Sequence, residues 1–227
     1  MQTPELVIFD LDGTLIDSVP DIAVAVDAAL AELDLAPVGE ARVRDWVGNG
    51  AARLMHRALT GAMQGEAAAE LFERAMHAFN WHYSRRLWQD SHRYPGTRGL
   101  LEALRARGIP LACVTNKPER FTTPLLAETG LASYFDLVLA GDSLTAKKPD
   151  PLPLLTAMQR FDAAPGETLM VGDSAADVGA ARAAGVGVVC LSYGYNHGSD
   201  VRELNPDRVF DSLGELKHWL DEAARCL

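Results

Sequence analysis

The second half of the chain alternates between helix-like and strand-like segments, and this alternation limits the possible folds more than any other feature. Each helix-like segment is followed by a short apolar one. The pairs are 98–107 with 109–114, 119–129 with 136–139, 151–161 with 169–171, and 175–184 with 186–191. Such alternation favours a parallel sheet covered by helices on both faces. The sequence therefore predicts an α/β fold with a doubly wound parallel-sheet (Rossmann-like) core, completed by a strand near Val209 and a last helix.

The segment from residue 16 to residue 91 lacks this alternation and is helix-like throughout. Ser18-Val19-Pro20-Asp21 matches a helix start, with serine as the N-cap, proline in the first turn and an acid three residues on. Further helix-like stretches cover 40–47, 50–60 and 66–88. We therefore expect a core formed by residues 1–15 and 92–227, with an inserted all-helical cap at residues 16–91.

Two aspartates, Asp10 and Asp12, follow the apolar run 6–9 and open a glycine turn. Four consecutive apolar residues favour a strand that is covered on both faces. Ligands of parallel sheets bind just beyond the carboxyl ends of the strands, and unpaired charges beside a core are costly. The two carboxylates could hold a hard cation, attack an electrophile or transfer protons.

Polar residues also follow the other predicted strands. Thr115-Asn116-Lys117 ends one strand, Lys147-Lys148-Pro149 lies in a later loop, and Gly172-Asp173-Ser174 ends another strand with Asp177 one turn on. Because parallel strands end at one edge of the sheet, carboxylates, a hydroxyl and a lysine would converge there. Together they indicate a metal and a phosphoryl group. Taken singly, each has an ordinary structural explanation as a turn, strand-end, surface or helix-start residue.

These strand-end segments resemble the four motifs of the haloacid dehalogenase-like hydrolases. The motifs are Asp10-Leu11-Asp12-Gly13-Thr14, Thr115, Lys148 with the following proline, and Gly172-Asp173-Ser174-Ala175-Ala176-Asp177. Segments 12–18, 46–51, 115–118 and 194–198 further resemble the bacterial phosphoglycolate phosphatase subgroup of that family.

The resemblance implies four catalytic residues. Asp10 would attack phosphorus and form an aspartyl-phosphate. Asp12 would protonate the leaving alkoxide and later take a proton from water. Thr115 and Lys148 would hold the phosphoryl group. A halide leaves without a proton, so an acid at Asp12 favours an O-phosphate ester over a haloacid.

The resemblance also implies a magnesium site. Mg²⁺ would be held by the Asp10 carboxylate, the Asp12 backbone carbonyl and the Asp173 carboxylate, with water and a phosphate oxygen as further ligands. Asp177 would orient a metal-bound water through a hydrogen bond.

Substrate-binding residues implied by the resemblance are Gly48, Asn49, Gly50 and Asn116. A helix that begins near Gly50 could offer backbone N–H groups to a substrate carboxylate, and Arg53 in its first turn could pair with it. The alternative is that Asn49 only caps this helix and that Arg53 is a solvated surface residue.

The implied activity is Mg²⁺-dependent hydrolysis of 2-phosphoglycolate to glycolate and phosphate. Three alternatives stay open at this point: a phosphatase for another small phosphate such as a sugar phosphate or pyrophosphate, a β-phosphoglucomutase-like enzyme, and a catalytically inactive binding module. The presence of both Asp10 and Asp12 argues against the last of these.

Composition excludes other classes of function. The net charge of −10 disfavours nucleic acid as a partner, since binding to its phosphates relies on clustered lysine and arginine. No apolar run reaches 18 residues, so we expect no membrane span, and the segment Met1–Glu5 does not start a signal peptide. Cys113, Cys190 and Cys226 are an odd set without metal-ligand spacing, which favours a reducing, cytoplasmic setting. The partner that the resemblance implies is a small anionic phosphate ester.

Overall fold

The computed structural model describes residues 3–225, so the expectations for Met1, Gln2 and Cys226 fall outside the described residues. The strands are β1 (Leu6–Phe9), β2 (Ile16–Asp17), β3 (His92–Arg93), β4 (Leu111–Val114), β5 (Leu137–Leu139), β6 (Thr168–Gly172), β7 (Gly187–Leu191) and β8 (Arg208–Phe210). The α-helices are α1 (Val19–Ala31), α2 (Gly39–Trp46), α3 (Ala51–Thr60), α4 (Ala69–Ser84), α5 (Thr97–Ala106), α6 (Glu119–Glu128), α7 (Leu152–Phe161), α8 (Ala175–Ala184) and α9 (Leu213–Arg225).

Six of the strands form one parallel sheet in the order β5-β4-β1-β6-β7-β8. Strand β1 lies between β4 and β6, and every residue of these three strands is buried. Successive side chains of a strand point to opposite faces of the sheet. Accordingly, Val7 and Phe9 pack into one apolar cluster while Leu6 and Ile8 pack into another. The predicted α/β class with a parallel, two-sided sheet is confirmed.

Along the chain, helices α1–α4 follow β2 and precede β3, and these two short strands pair antiparallel with each other. This small ribbon was not predicted, because two-residue strands leave no periodic pattern in a sequence. The expected helix at 66–88 is shorter in the structure, where α4 covers only Ala69–Ser84. The division into a core and a cap at residues 16–91 stays a prediction.

Ser18 occupies the N-cap position of α1 as predicted, but its side chain does not cap the helix. Its hydroxyl donates to Oδ1 of Asp12 at 2.6 Å and makes no cap hydrogen bond. Asp21, the expected acid of the first turn, accepts instead from the backbone N–H groups of residues 89–91. Both side chains therefore connect α1 to other parts of the molecule.

Among the helices of the described chain, none combines the length and the apolar character needed to cross a membrane.

Candidate active site

The ends of the central strands bring the predicted site residues to one edge of the sheet. The backbone N–H of Asp10 donates to the carbonyl of Val171 at 2.9 Å, which continues the pairing of β1 with β6. The N–H of Thr115 donates to the carbonyl of Leu139 at 3.0 Å, which does the same for β4 and β5. The local backbone of the site is thus an extension of the sheet.

Asp10 presents two differently placed carboxylate oxygens. Oδ1 accepts from the N–H of Leu11 at 2.7 Å and lies 3.0 Å from Nζ of Lys148. Oδ2 has no hydrogen-bond partner among residues 3–225, and Asp10 lines a cavity above the sheet edge. Burial raises the pKa of Asp10 to about 7, against the effect of Lys148 and with a further rise from Asp177. One oxygen is therefore anchored while the other is free to meet a ligand.

Asp177 joins the start of α8 to the buried lysine. Its Oδ1 accepts from Nζ of Lys148 at 2.6 Å. Its Oδ2 accepts from the N–H groups of Asp173 and Ser174, both at 3.1 Å, and from Oγ of Ser174 at 2.7 Å. Burial works against the charge of Lys148, but Asp10 and Asp177 outweigh it and raise its pKa. Both Asp177 oxygens thus have protein donors.

Asp173 is held by residues from the β1 turn and the loop after β7. Oδ1 accepts from Oγ1 of Thr14 and Oδ2 from the N–H of Tyr195, each at 2.6 Å. Burial, followed by the charges of Asp177 and Asp10, raises its pKa well above the usual range.

The carboxylates of Asp10, Asp173 and Asp177 form a cluster that fits a hard divalent cation. One oxygen from each lies within 4.8 Å of the others. Oxygen ligands are those that Mg²⁺ prefers, and a cation there would offset the repulsion among the three acids. The side chain of Asp12 is outside this cluster, which is compatible with the expected use of its backbone carbonyl.

Two glycines make room for Asp173. A Cβ atom at Gly13 or at Gly194 would overlap the Asp173 carboxylate. Gly13 also has a φ of +86°, which other residues rarely adopt. Both positions therefore require glycine if the carboxylate is to keep its place.

The side chain of Asp12 lies outside the carboxylate cluster and contacts a lysine for which no role was predicted. Its oxygens accept from Oγ of Ser18 at 2.6 Å and from Nζ of Lys117 at 3.1 and 3.2 Å. Nζ of Lys117 also donates to the hydroxyl oxygen of Tyr83 on α4 at 2.6 Å. Burial opposes the charge of Lys117, but Asp12 and Tyr83 raise its pKa. The sequence signal was the position of this lysine directly after Thr115-Asn116 at a strand end.

Thr115 is 4% exposed and lines the same cavity. Its Oγ1 accepts from the N–H of Lys117 at 3.2 Å. Within the described part of the chain its hydroxyl hydrogen has no acceptor. Thr115 can therefore donate a hydrogen bond to a bound group.

The predicted substrate-binding residues are only partly gathered at the cavity. Gly48, Gly50 and Asn116 line it, whereas Asn49 does not. Nδ2 of Asn116 donates to the carbonyls of Gly48 at 3.1 Å and Lys148 at 2.9 Å, and its Oδ1 is buried without a partner in residues 3–225. Asn116 thus ties the loop before α3 to the sheet edge.

The side chains of Asn49 and Arg53 contact other residues of the helical segment 16–91. Asn49 does not cap α3, because its Oδ1 accepts from Nη2 of Arg57 at 2.8 Å. Nη1 of Arg53 contacts Oε1 of Glu66 at 2.6 Å, and Arg53 does not line the cavity. The sequence left open whether Arg53 pairs with a substrate carboxylate or is a surface residue, and its ion pair with the exposed Glu66 favours the second.

Comparisons with known proteins agree with this geometry. A family model described as haloacid dehalogenase-like hydrolase matches residues 4–185. A phosphoglycolate phosphatase of Nitrosococcus oceani is 48% identical over 99% of this chain and 100% of the relative. One from Nitrosospira multiformis is 49% identical over 96% of each chain. The crystal structure of a predicted phosphoglycolate phosphatase from Haemophilus somnus superposes with a TM-score of 0.90, at 38% identity, over 95% of this chain and 97% of that one.

Proposed function

The chain belongs to the haloacid dehalogenase-like hydrolase family, and we propose that it is a Mg²⁺-dependent phosphatase that converts 2-phosphoglycolate into glycolate and phosphate. The substrate is proposed from the names of relatives that are 46–49% identical over nearly the whole chain. With a cation in the carboxylate cluster, the adjoining cavity would also suit a small anionic phosphate ester.

One observation carries the proposal. Asp10 belongs at once to the carboxylate cluster and to the wall of the cavity, with Oδ1 held by Leu11 and Lys148 and with Oδ2 unengaged in the described residues. A nucleophile needs this combination, because the anchored oxygen fixes the direction from which the other one attacks.

In the first half-reaction, Oδ2 of Asp10 attacks the phosphorus atom and the bond from phosphorus to the ester oxygen breaks. Asp12 gives its proton to the departing alkoxide, which leaves as an alcohol. The product on the protein is an aspartyl-phosphate at Asp10. Thr115 donates to a phosphoryl oxygen, and Lys148 supplies positive charge beside the reacting carboxylate.

In the second half-reaction, Asp12 takes a proton from a water molecule, and the resulting hydroxide oxygen attacks the same phosphorus atom. The bond between Asp10 and phosphorus breaks, so that phosphate is released and Asp10 is restored. Asp10, Asp173 and the backbone carbonyl of Asp12 would hold Mg²⁺, which would neutralise charge on the phosphoryl oxygens. Asp177 positions Lys148 and the turn that carries Asp173.

The helical segment 16–91 would act as a cap that covers the bound ester and excludes bulk water. Gly48, Gly50 and Asn116 would contact the part of the substrate that leaves. We also propose a cytoplasmic location and no nucleic acid or membrane partner, in keeping with the acidic composition.

A panel of phosphate esters tests the proposal. The purified protein would be assayed with 2-phosphoglycolate, glucose 6-phosphate, pyrophosphate and para-nitrophenyl phosphate, each with Mg²⁺ and with EDTA. We expect the highest kcat/KM for 2-phosphoglycolate and loss of phosphate release with EDTA. A higher kcat/KM for another member would reassign the substrate, and full activity of the Asp10→Asn variant would remove Asp10 as the nucleophile.

A further inference from the structure

Lys117 places a buried cation in the wall of the cavity that Asp10 and Thr115 also line. The cavity beside Asp10 is lined mainly by apolar side chains, among them Ile22, Leu54, Phe79 and Phe121. In the described range 3–225, Lys117 is the only lysine or arginine that lines it. The residue is 6% exposed. A lysine is rarely buried to this extent unless it is paired.

The pairing of Lys117 with Asp12 consists of two contacts to one carboxylate, one of which a ligand could replace. An ammonium group has three N–H donors. The contacts from Nζ of Lys117 to Asp12 are 3.1 and 3.2 Å and reach the two oxygens of a single carboxylate, whereas the bond to the Tyr83 hydroxyl is 2.6 Å. The ammonium group can therefore keep one bond to Asp12 and turn another N–H toward a ligand in the cavity.

Tyr83 adds a second donor at the same place. Burial, with lesser and partly opposing effects from Lys117 and Asp12, raises the pKa of Tyr83 to about 12, so its hydroxyl keeps its proton at neutral pH. This oxygen accepts from Lys117, and the hydroxyl hydrogen has no acceptor within the described chain. Tyr83 lines the cavity as well. An N–H and an O–H thus stand side by side, a pattern that suits the two oxygens of a carboxylate.

We propose that Lys117 and Tyr83 form the subsite that binds the carboxylate of the leaving group and so select esters of short α-hydroxy acids. This inference rests on the proposed phosphatase function. The inference names the residues that recognise the leaving group and gives the reason why that group carries a carboxylate.

The position of Asp12 sets the length of the leaving group. The proton donor must reach the ester oxygen, and Nζ of Lys117 lies about one hydrogen bond beyond the Asp12 oxygens. In a glycolate ester a single methylene group separates the ester oxygen from the carboxylate carbon. A carboxylate at that separation can reach Lys117 while Asp12 contacts the ester oxygen. Much of the remaining lining is apolar, with Ile22, Leu54 and Phe79 in it, which suits a short leaving group better than a sugar with several hydroxyl groups.

The simpler alternative is that Lys117 only neutralises Asp12. In that case its loss would affect every substrate that needs Asp12 to the same degree. The two roles are therefore distinguished by the ratio of kcat/KM values for two substrates, because the rate with a single substrate would fall in both cases.

The experiment compares 2-phosphoglycolate with 2-hydroxyethyl phosphate, which has the same chain length but a neutral end. The readout is the ratio of their kcat/KM values in the wild type, Lys117→Met and Tyr83→Phe. We expect the wild-type ratio to exceed about 100, Lys117→Met to lower it about 100-fold and Tyr83→Phe to lower it about 10-fold. The matched control is Lys217→Met, which removes a lysine paired with an aspartate (Asp221, 2.8 Å) away from the cavity and should leave the ratio unchanged.

Binding gives a second readout that does not depend on turnover. In the Asp10→Asn background, titration calorimetry gives the Kd of each ester with and without Lys117→Met. We expect Lys117→Met to raise the Kd of 2-phosphoglycolate by a factor about 100 times larger than the factor for 2-hydroxyethyl phosphate. If Lys117→Met does not fold, Lys117→Gln and Tyr83→Phe provide the same ratio. Equal losses for both esters would overturn the subsite and leave the phosphatase proposal standing. A wild-type enzyme that hydrolyses other esters but does not prefer 2-phosphoglycolate would overturn the proposed substrate, and the carboxylate subsite with it.

Discussion

Nζ of Lys148 lies 2.6 Å from Oδ1 of Asp177, and both side chains are almost completely buried. The two residues are 29 positions apart, one in the loop before α7 and one in the first turn of α8. The other oxygen of Asp177 accepts from the N–H groups of Asp173 and Ser174, which directly precede α8. One carboxylate therefore fixes both the helix that follows Asp173 and the lysine that lies beside Asp10.

Removing this lysine should destabilise the metal-free protein. Lys148→Met leaves the carboxylates of Asp10, Asp173 and Asp177 together without a cation. We expect a loss of about 3–5 kcal/mol in the free energy of unfolding, measured with urea at pH 7.5 in EDTA. Phosphate release should fall below detection as well.

The neighbouring lysine is the matched control. Lys147 is exposed, and its Nζ donates to the carbonyl of Asn49 at 2.9 Å. Lys147→Met should cost less than about 1 kcal/mol. Equal losses for the two variants would contradict the assignment of Lys148 to a buried charge cluster.

The metal-free protein should become less stable as the pH rises from 5 to 8. The folded-state pKa of Asp10 is raised from 3.8 to about 7, so the folded protein binds a proton that the unfolded chain has already lost. The stabilising effect of that proton is complete below pH 3.8 and is lost as the pH rises through about 7. In EDTA we expect a thermal midpoint about 5 °C lower at pH 8 than at pH 5.5.

Asp10→Asn and Mg²⁺ provide the controls for this pH dependence. The variant has no titrating group at this position, so the change in its thermal midpoint over the same range should be clearly smaller. Saturating Mg²⁺ should raise the wild-type midpoint most at pH 8, because a bound cation favours the ionised carboxylates. An identical pH profile for the variant and the wild type would refute the role of Asp10 in this effect.

Gly194→Ala should weaken the proposed metal site. The added methyl group would overlap the Asp173 carboxylate and force it or the loop to move. We expect about 10–100-fold weaker Mg²⁺ activation and a loss of about 1–3 kcal/mol in stability.

Gly99 in α5 has open space where its Cβ would be, so Gly99→Ala should leave Mg²⁺ activation unchanged and preserve or slightly increase stability. Unaltered Mg²⁺ activation in Gly194→Ala would count against Asp173 as a ligand.

Asp21 should be important for stability, although its hydrogen bonds go to the segment after α4 and not to the carboxylate cluster. Its buried carboxylate accepts from the N–H groups of residues 89–91 at 2.8–3.1 Å and contacts Nε of Arg86. Asp21→Asn would turn an amide donor toward those N–H groups and should cost about 2–3 kcal/mol. Asp90, an exposed partner of the same arginine, is the control, and Asp90→Asn should cost less than about 1 kcal/mol.

Lowering the pH should reduce the difference in stability between the wild type and Asp21→Asn. Burial opposes ionisation of Asp21, but the hydrogen bonds from residues 89–91 outweigh it and lower its pKa. Its stabilising effect is therefore present above pH 3.8 and is lost as the pH falls through the folded-state pKa. Unfolding at pH 3 and pH 7 should show a smaller gap between the wild type and Asp21→Asn at pH 3.

The order of elements and the family membership were predictable from the sequence by itself. Apolar runs such as Leu6–Phe9 mark buried parallel strands, and polar residues directly after them must lie at the edge of the sheet because the backbone leaves them no other place. That rule is local, so Asp10, Thr115 and Asp173 could be proposed without coordinates. Their catalytic and metal-binding roles remain predictions.

Only the tertiary structure decided which side chain meets which. Lys117 is 34 positions from Tyr83 and 105 from Asp12, and Arg53 pairs with Glu66 and stays out of the cavity. Ser18 and Asp21 likewise bind groups outside their own helix. Sequence periodicity reports how a residue relates to neighbours within a few turns. A contact between distant segments depends on how whole elements pack, and no local pattern records that packing.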